Sequence, residues 1–171
     1  MMDRCHWAKR PLEIEYHDHE WCVPNFDDRY LFEMLVLESA QAGLSWHTIL
    51  QKREAYRACF HNFDVEKVSK MTLDEAFEHK DIVQNKLKIN AAIHNAKLIV
   101  SEKISLSELM WSYTGGNVLK GVYETQTPLT QQISKDLKKM GFKFVGPTII
   151  YSYLQAIGII DDHEPHCYLY K

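Results

Sequence analysis

With 171 residues, 46% of them hydrophobic and a formal net charge of -3, the chain has the composition of one soluble globular domain spanning residues 1–171. That balance excludes a disordered or polybasic protein, and no apolar run approaches the roughly 18 residues that a membrane span requires. The opening MMDRCHWAKR is too polar for a secretory signal, so a cytoplasmic protein with reduced cysteines is expected.

Asp27 or Asp28 caps a first predicted helix, whose apolar residues Leu31, Met34, Leu35 and Leu37 recur at helical spacing and whose end lies near Gly43. Ser45 caps a second, through Thr48, Ile49, Leu50 and Tyr56 to about Phe60. Two short helices follow: Asp64 opens Val65 to Lys70, and Thr72, with Glu75 three residues on, opens the next as a capping box. Asn85 to Val100 is predicted as a long helix with a buried stripe of Leu87, Ile89, Ala92, Ile93, Ala96 and Ile99. Ser105 or Ser107 caps the segment Leu109 to Tyr113. Gly115, Gly116, Gly121 and Pro128 mark Thr114 to Thr127 as a surface loop, in which Val118-Leu119 and Val122-Tyr123 are too short to predict a strand. A helix returns from Leu129 to Met140, Gly141 ends it, and Pro147 takes the first turn of the last helix, Thr148 to Gly158. No strand pair is predicted, and the fold class is all-α.

Soft-metal ligands stand at both ends of the chain, Cys5 and His17 near the start, His163 and Cys167 near the finish. Two thiolates and two imidazoles suit tetrahedral Zn2+, and the spacing of His163 and Cys167 lets both reach one ion. Such an ion has no open position; it is structural and clamps the termini together. His19 and His166 are spare imidazoles that can replace one of these ligands, while Cys22 and Cys59 lack paired spacing and are expected to be free. Lys135, Lys138, Lys139 and Lys143 form one basic cluster, and Lys52, Arg53 and Arg57 another. Each is either a solvated helix face or a patch that steers phosphate.

The segment KMGFKFVGPT, Lys139 to Thr148, joins two predicted helices with glycine at both ends of a tight apolar turn. This is the pattern of a helix-hairpin-helix, whose backbone N–H groups cradle a DNA phosphate without reading sequence; a plain helix-helix turn is the alternative. Gly141, Lys143 and Gly146 are its candidate DNA-binding residues. Phe144 stands where the hairpin of repair enzymes usually has glycine. Repair glycosylases with this hairpin carry a catalytic aspartate after the following helix, and Asp161 either takes that role or supports His163 from behind as a metal ligand. In LESAQAGLSW, Leu37 to Trp46, Glu38 is a lone acid in an apolar helix and Leu44 sits at the tip of the next turn. Leu44 either wedges into a gap in a duplex or packs in the core.

Taken in order, Tyr16-His17 with Trp21, Leu31 to Met34, Gln41 to Trp46, Arg57 to Phe60, Gly141 to Gly146 and Asp162-His163 with Cys167 resemble the DNA-3-methyladenine glycosylase I family. The similarity runs from Cys5 to Cys167. It implies a zinc-containing helix-hairpin-helix glycosylase that excises 3-methyladenine from alkylated double-stranded DNA. A monofunctional, hydrolytic enzyme without lyase activity, acting as a monomer, is expected. By the same resemblance the zinc ligands fall on Cys5, His17, His163 and Cys167. The base pocket falls on Tyr16, Trp21, Glu38 and Trp46, with Glu38 as the catalytic residue that binds and orients the base. Two positions depart from the family pattern: Glu13 replaces an aromatic residue and Cys22 a glycine.

Those residue types suit that chemistry. Methylation at N3 makes the base cationic and a good leaving group, so the enzyme must chiefly find it, extrude it and hold it. Aromatic faces attract a cationic ring by about 0.5 to 2 kcal/mol per contact, and a carboxylate accepts hydrogen bonds from the base edge. A non-catalytic, zinc-stabilised DNA-binding module is a second reading. A zinc hydrolase is a third, against which a full set of protein ligands argues.

Overall fold

The structure, a computed structural model, describes residues 2–171 and is almost entirely helical. Helix α1 (Pro11–His19) is followed by α2 (Asp28–Gln41) and α3 (Trp46–Cys59), then a single 3-10 turn at His61–Phe63. The short α4 (Val65–Ser69) and α5 (Leu73–Phe77) lead to α6 (Lys86–Ser101) and α7 (Leu106–Ser112). A two-residue strand β1 (Leu119–Lys120) precedes α8 (Pro128–Met140) and α9 (Pro147–Ala156), and β2 (Ile160–Asp161) follows them. None of the described helices is long and apolar enough to cross a membrane.

The caps act where the sequence places them. Asp27 accepts the amide of Tyr30, Ser45 that of Thr48, Asn85 that of Lys88 and Ser105 that of Glu108, each satisfying an N–H that the first helical turn leaves free. Asp64 and the Thr72–Glu75 capping box do the same for α4 and α5. Proline holds the first position of both α8 and α9, so each begins one residue before the apolar pattern does.

Helix α2 runs through the core: every residue from Leu31 to Ala40 is buried, including two acids. They are treated differently. Glu33 is neutralised by Arg53 at 3.0 Å and Arg57 at 2.7 Å, and Arg53 also pairs with Glu20 at 2.8 Å. Glu38 has no cationic partner among the described residues. Arg53 and Arg57 are therefore spent inside the protein, and Lys52 donates to the Asp81 carbonyl, so of the two basic clusters only Lys135, Lys138, Lys139 and Lys143 stand exposed together.

Three expectations change. Helix α1 was not foreseen, because the residues it buries are Glu13, Tyr16 and His17, which leave no apolar stripe to detect. Leu87 is 70% exposed rather than buried; two residues before Ile89, it lies about 200° around the helix from that stripe. And a strand pair exists: β1 and β2 run parallel with Leu119 opposite Ile160, joined by Leu119 N to Ile159 O at 2.8 Å and Gly121 N to Asp161 O at 2.9 Å. The approach is close enough that a Cβ on Gly121 would fall 1.6 Å from Asp162 Oδ1. This pair lashes the 114–127 loop to the segment that carries Asp161 and His163.

Candidate active site

Helices α1, α2, α3 and α9 and the chain before α1 line an open cavity of about 550 Å³. Its walls include Trp7, Tyr16, Trp21 and Trp46, with Glu38 and His47 among them. Tyr16 and Trp46 lie 5.3 Å apart between ring centroids, and Trp7 meets Trp21 edge-on at 5.0 Å. All four expected pocket residues are thus brought together. Trp7 and His47 join them without having been foreseen. Trp7 lies two residues from Cys5, one of the expected metal ligands and the one signal that pointed to it, and nothing in the sequence marked His47.

Buried polar atoms in a folded protein are ordinarily paired. Here Glu38 Oε2, Tyr16 OH, Trp7 Nε1, Trp46 Nε1 and His47 Nδ1 are all buried without a partner, and all five side chains line this one cavity. Such a concentration of unmet hydrogen-bonding capacity is a recognition surface for a planar polar guest. Burial pushes the Glu38 carboxyl up to about 8 and so favours its neutral form at neutral pH. Burial, reinforced by Glu38, likewise drives the Tyr16 phenol well above its ordinary value.

Glu13 lies on the same wall with the opposite character. Burial alone would raise its pKa, but the amides of Arg10 and Lys9 and the Arg10 guanidinium outweigh that and hold it low. It is the ionised acid of the cavity, 3.8 Å from His47 Nδ1.

Leu44 is 39% exposed and lines a smaller hollow that shares Glu38, Gln41 and Ser152 with the main cavity. Core packing is therefore not its role. Thr148 and Ile149, in the first turn of α9 just after the α8–α9 turn, line the same hollow. Gly141 closes α8 at φ 106, and Phe144 has φ 56, the left-handed conformation that glycine adopts freely and a bulky residue rarely does. Neighbouring helices hold the turn: Asn95 donates to Lys143 O at 3.0 Å and accepts from Lys143 N at 2.9 Å, while His94 Nε2 donates to Gly141 O at 2.7 Å. The Lys143 side chain remains exposed, and Gly146 caps α9.

Behind the aromatic wall, ligand atoms of Cys5, His17 and Cys167 lie within 4.8 Å of one another, all in buried side chains. His163, the fourth expected ligand, is outside that trio but adjacent, its ring centroid 5.4 Å from that of His17. Its Nε2 is buried with no partner, while its Nδ1 faces Asp161 Oδ1 at 2.7 Å; His17 Nδ1 faces Asp18 Oδ1 at 2.8 Å. In both rings a carboxylate fixes the proton on Nδ1 and leaves Nε2 as a lone-pair donor, the arrangement of imidazoles that bind metal. Burial lowers the His163 pKa against the pull of Asp161 and keeps the ring neutral. Burial also pushes the Cys5 thiol up to about 12, a tendency that a coordinated cation reverses by holding thiolate. The donor set fits Zn2+. Of the spare imidazoles, His19 is exposed beside Glu15 and His166 faces Glu164, so neither enters the buried set. Asp161 supports His163 and does not line the cavity. Asp162 is buried, accepting from Tyr151 OH, Gln155 Nε2 and Tyr123 N.

A family model described as methyladenine glycosylase matches residues 7–170. The chain is 43% identical over 183 aligned positions to DNA-3-methyladenine glycosylase 1 of Escherichia coli (strain K12), an alignment covering 99% of this chain and 97% of that protein. The solved structure of a 3-methyladenine DNA glycosylase I matches with a TM-score of 0.94 and 41% identity, over 99% of this chain and 100% of that one. A tyrosine-to-phenylalanine variant of 3-methyladenine DNA glycosylase I, solved in complex with 3-methyladenine, matches with a TM-score of 0.90 and 38% identity, over 98% and 97% of the two chains. The chain belongs to the methyladenine glycosylase family.

Proposed function

We propose that this protein is a monofunctional DNA glycosylase that excises 3-methyladenine from alkylated double-stranded DNA. The observation that carries the reading is the cavity that gathers the unpartnered buried atoms of Glu38, Tyr16 and Trp46 beside the rings of Trp7 and Trp21. A base extruded from the duplex stacks on Tyr16, Trp21 and Trp46, and these π faces favour a cationic ring over neutral adenine. Burial favours the neutral form of Glu38. A cation arriving beside it lowers its pKa, so lesion binding and ionisation of Glu38 reinforce each other, and the carboxylate accepts a hydrogen bond from the base edge.

Held in this way, the base leaves with the electron pair of its bond to C1′, which cancels its positive charge. Water adds to the oxocarbenium-like C1′ and loses a proton. No lysine nucleophile is required. Leu44, exposed at the lip, fills the gap in the stack, and the turn from Gly141 to Gly146, with Lys143, acts as a helix-hairpin-helix that holds a phosphate on backbone N–H groups. Cys5, His17, His163 and Cys167 would hold a zinc ion, which would supply structural cross-linking and no chemistry at the base. His17 adjoins Tyr16, so this clasp braces one wall of the cavity.

The test is release of free 3-methyladenine from methylated duplex DNA. Release without borohydride-trappable adduct supports the reading. Binding of such DNA with no base liberated, where a known glycosylase liberates it, supports instead a non-catalytic DNA-binding module.

A further inference from the structure

Outside the buried cluster, three more ligand-type side chains converge where the two chain ends meet. His6 Nδ1 lies 2.6 Å and His166 Nε2 3.3 Å from one and the same carboxylate oxygen, Glu164 Oε2. The two imidazole rings are 4.5 Å apart between centroids, and one ligand atom from each of the three residues lies within 4.8 Å of the others. Neither the buried cluster nor the stacking wall uses these groups. They face solvent, with His6 and His166 both exposed.

The backbone holds them in place. Glu164 N donates to Cys5 Sγ at 3.3 Å, Cys167 N to Glu164 O at 2.8 Å, His6 N to Glu164 Oε2 at 3.1 Å and Tyr168 N to Asp3 O at 2.8 Å. The segments that supply the donors are thus fastened to each other already, and an ion joining them has little chain entropy left to remove. Two imidazoles with one carboxylate suit Zn2+, Co2+, Ni2+ or Cu2+; Mg2+ and Ca2+ prefer shells of oxygen alone. An ion in the buried cluster, neutralised by two thiolates, would not repel a second one nearby.

We propose that His6, Glu164 and His166 form a second, solvent-facing transition-metal site at the joint of the chain ends. Both imidazoles bind in their neutral form. The ring proton of each moves to the nitrogen turned away from the ion, and His166 gives up the hydrogen bond from its Nε2 to the Arg4 carbonyl, now 2.9 Å long. Three protein ligands leave positions open to water. His6 also lines the base cavity, so the ion stands at its rim.

The test is metal uptake by the full-length protein, dialysed against Zn2+ at rising free concentration and compared with the double variant His6→Ala, His166→Ala. Wild type is expected to bind one equivalent more than the double variant; equal uptake overturns the proposal. Because the substituted residues adjoin Cys5 and Cys167, a second reading uses wild type alone. Paramagnetic Ni2+ added to protein carrying a single equivalent of zinc is expected to broaden the ring signals of His6 and His166 first. Ni2+ that broadens other signals and leaves those two sharp contradicts the site. Neither measurement involves base release, so its outcome is separate from that of the glycosylase assay.

Discussion

Ser39 Oγ donates to the carbonyl of Phe144 across 3.0 Å, and this bond joins the helix that carries Glu38 to the turn between α8 and α9. It also steadies Phe144, whose φ of 56 costs about 1 to 3 kcal/mol for a residue of its size. The cavity and this turn, the proposed DNA anchor, are therefore tied through adjacent positions of α2. Ser39→Ala should weaken binding to duplex DNA by about fivefold, the worth of one hydrogen bond of ~1 kcal/mol. Affinity for free 3-methyladenine, measured by quenching of the pocket tryptophans, should stay within twofold or so of wild type. Equal losses for both ligands would show general damage to α2 instead.

The raised pKa of Glu38 makes a stability prediction. Unfolded, the carboxyl ionises near 4.5; folded, it holds its proton to about 8. Its contribution is fully present below pH 4.5 and is lost as pH rises through 8, because over that window the folded chain binds the extra proton. Glu38→Gln removes the dependence. The melting temperature of the variant relative to wild type should rise steadily between pH 5 and 8, by at least about 3 °C. A difference that stays flat with pH would mean that Glu38 is ionised in the empty cavity.

Glu33 is the acid of α2 that has partners, and its loss acts in another way. Replacing it with Gln removes the buried carboxylate that Arg53 and Arg57 share but leaves them Glu20 and Glu54, a loss of charge-assisted hydrogen bonds worth about 1.5 to 3 kcal/mol. Thermal melts should fall by several degrees. Since Arg53 keeps Glu20, a double variant Glu33→Gln, Arg53→Met strands Glu20 as well and should melt no higher than the single variant. A single variant that melts with wild type would show that the pair contributes nothing.

Asp161 separates the two roles that the sequence left open for it. Acting through His163 Nδ1, it should govern the metal: Asp161→Asn is expected to lower metal affinity by about 10- to 100-fold. Base release by the zinc-saturated variant should remain close to wild type. Loss of base release at full metal occupancy would make Asp161 the catalytic acid.

The sequence displays the fold where residues obey helical periodicity and capping rules, as in α2, α3 and α6 with Asp27, Ser45 and Asn85 at their starts. It is silent where function replaces the apolar stripe. Helix α1 buries Glu13, Tyr16 and His17, of which only Tyr16 joins the hydrophobic core, while Glu13 lines the cavity and His17 lies in the candidate metal cluster. The strand pair of Leu119–Lys120 and Ile160–Asp161 is set by contact between distant segments, which no two-residue pattern encodes. Within the site, Tyr16, Trp21, Glu38 and Trp46 were legible through motif resemblance. His47 was not: its place in the cavity depends on which way one turn of α3 faces. The exposure of Leu44 and the paired state of Arg53 are likewise facts of packing.

The most direct measurement of the central claim is time-resolved release of free 3-methyladenine from methylated duplex DNA by wild type and by Glu38→Gln, with bound DNA quantified in parallel. Wild type should release the base, and the variant should bind the same DNA but release it at least about tenfold more slowly, as expected for loss of one charge-assisted contact to the guest. Wild-type protein that binds the DNA and releases no base, or a Gln variant as fast as wild type, would contradict the assignment of this cavity and of Glu38.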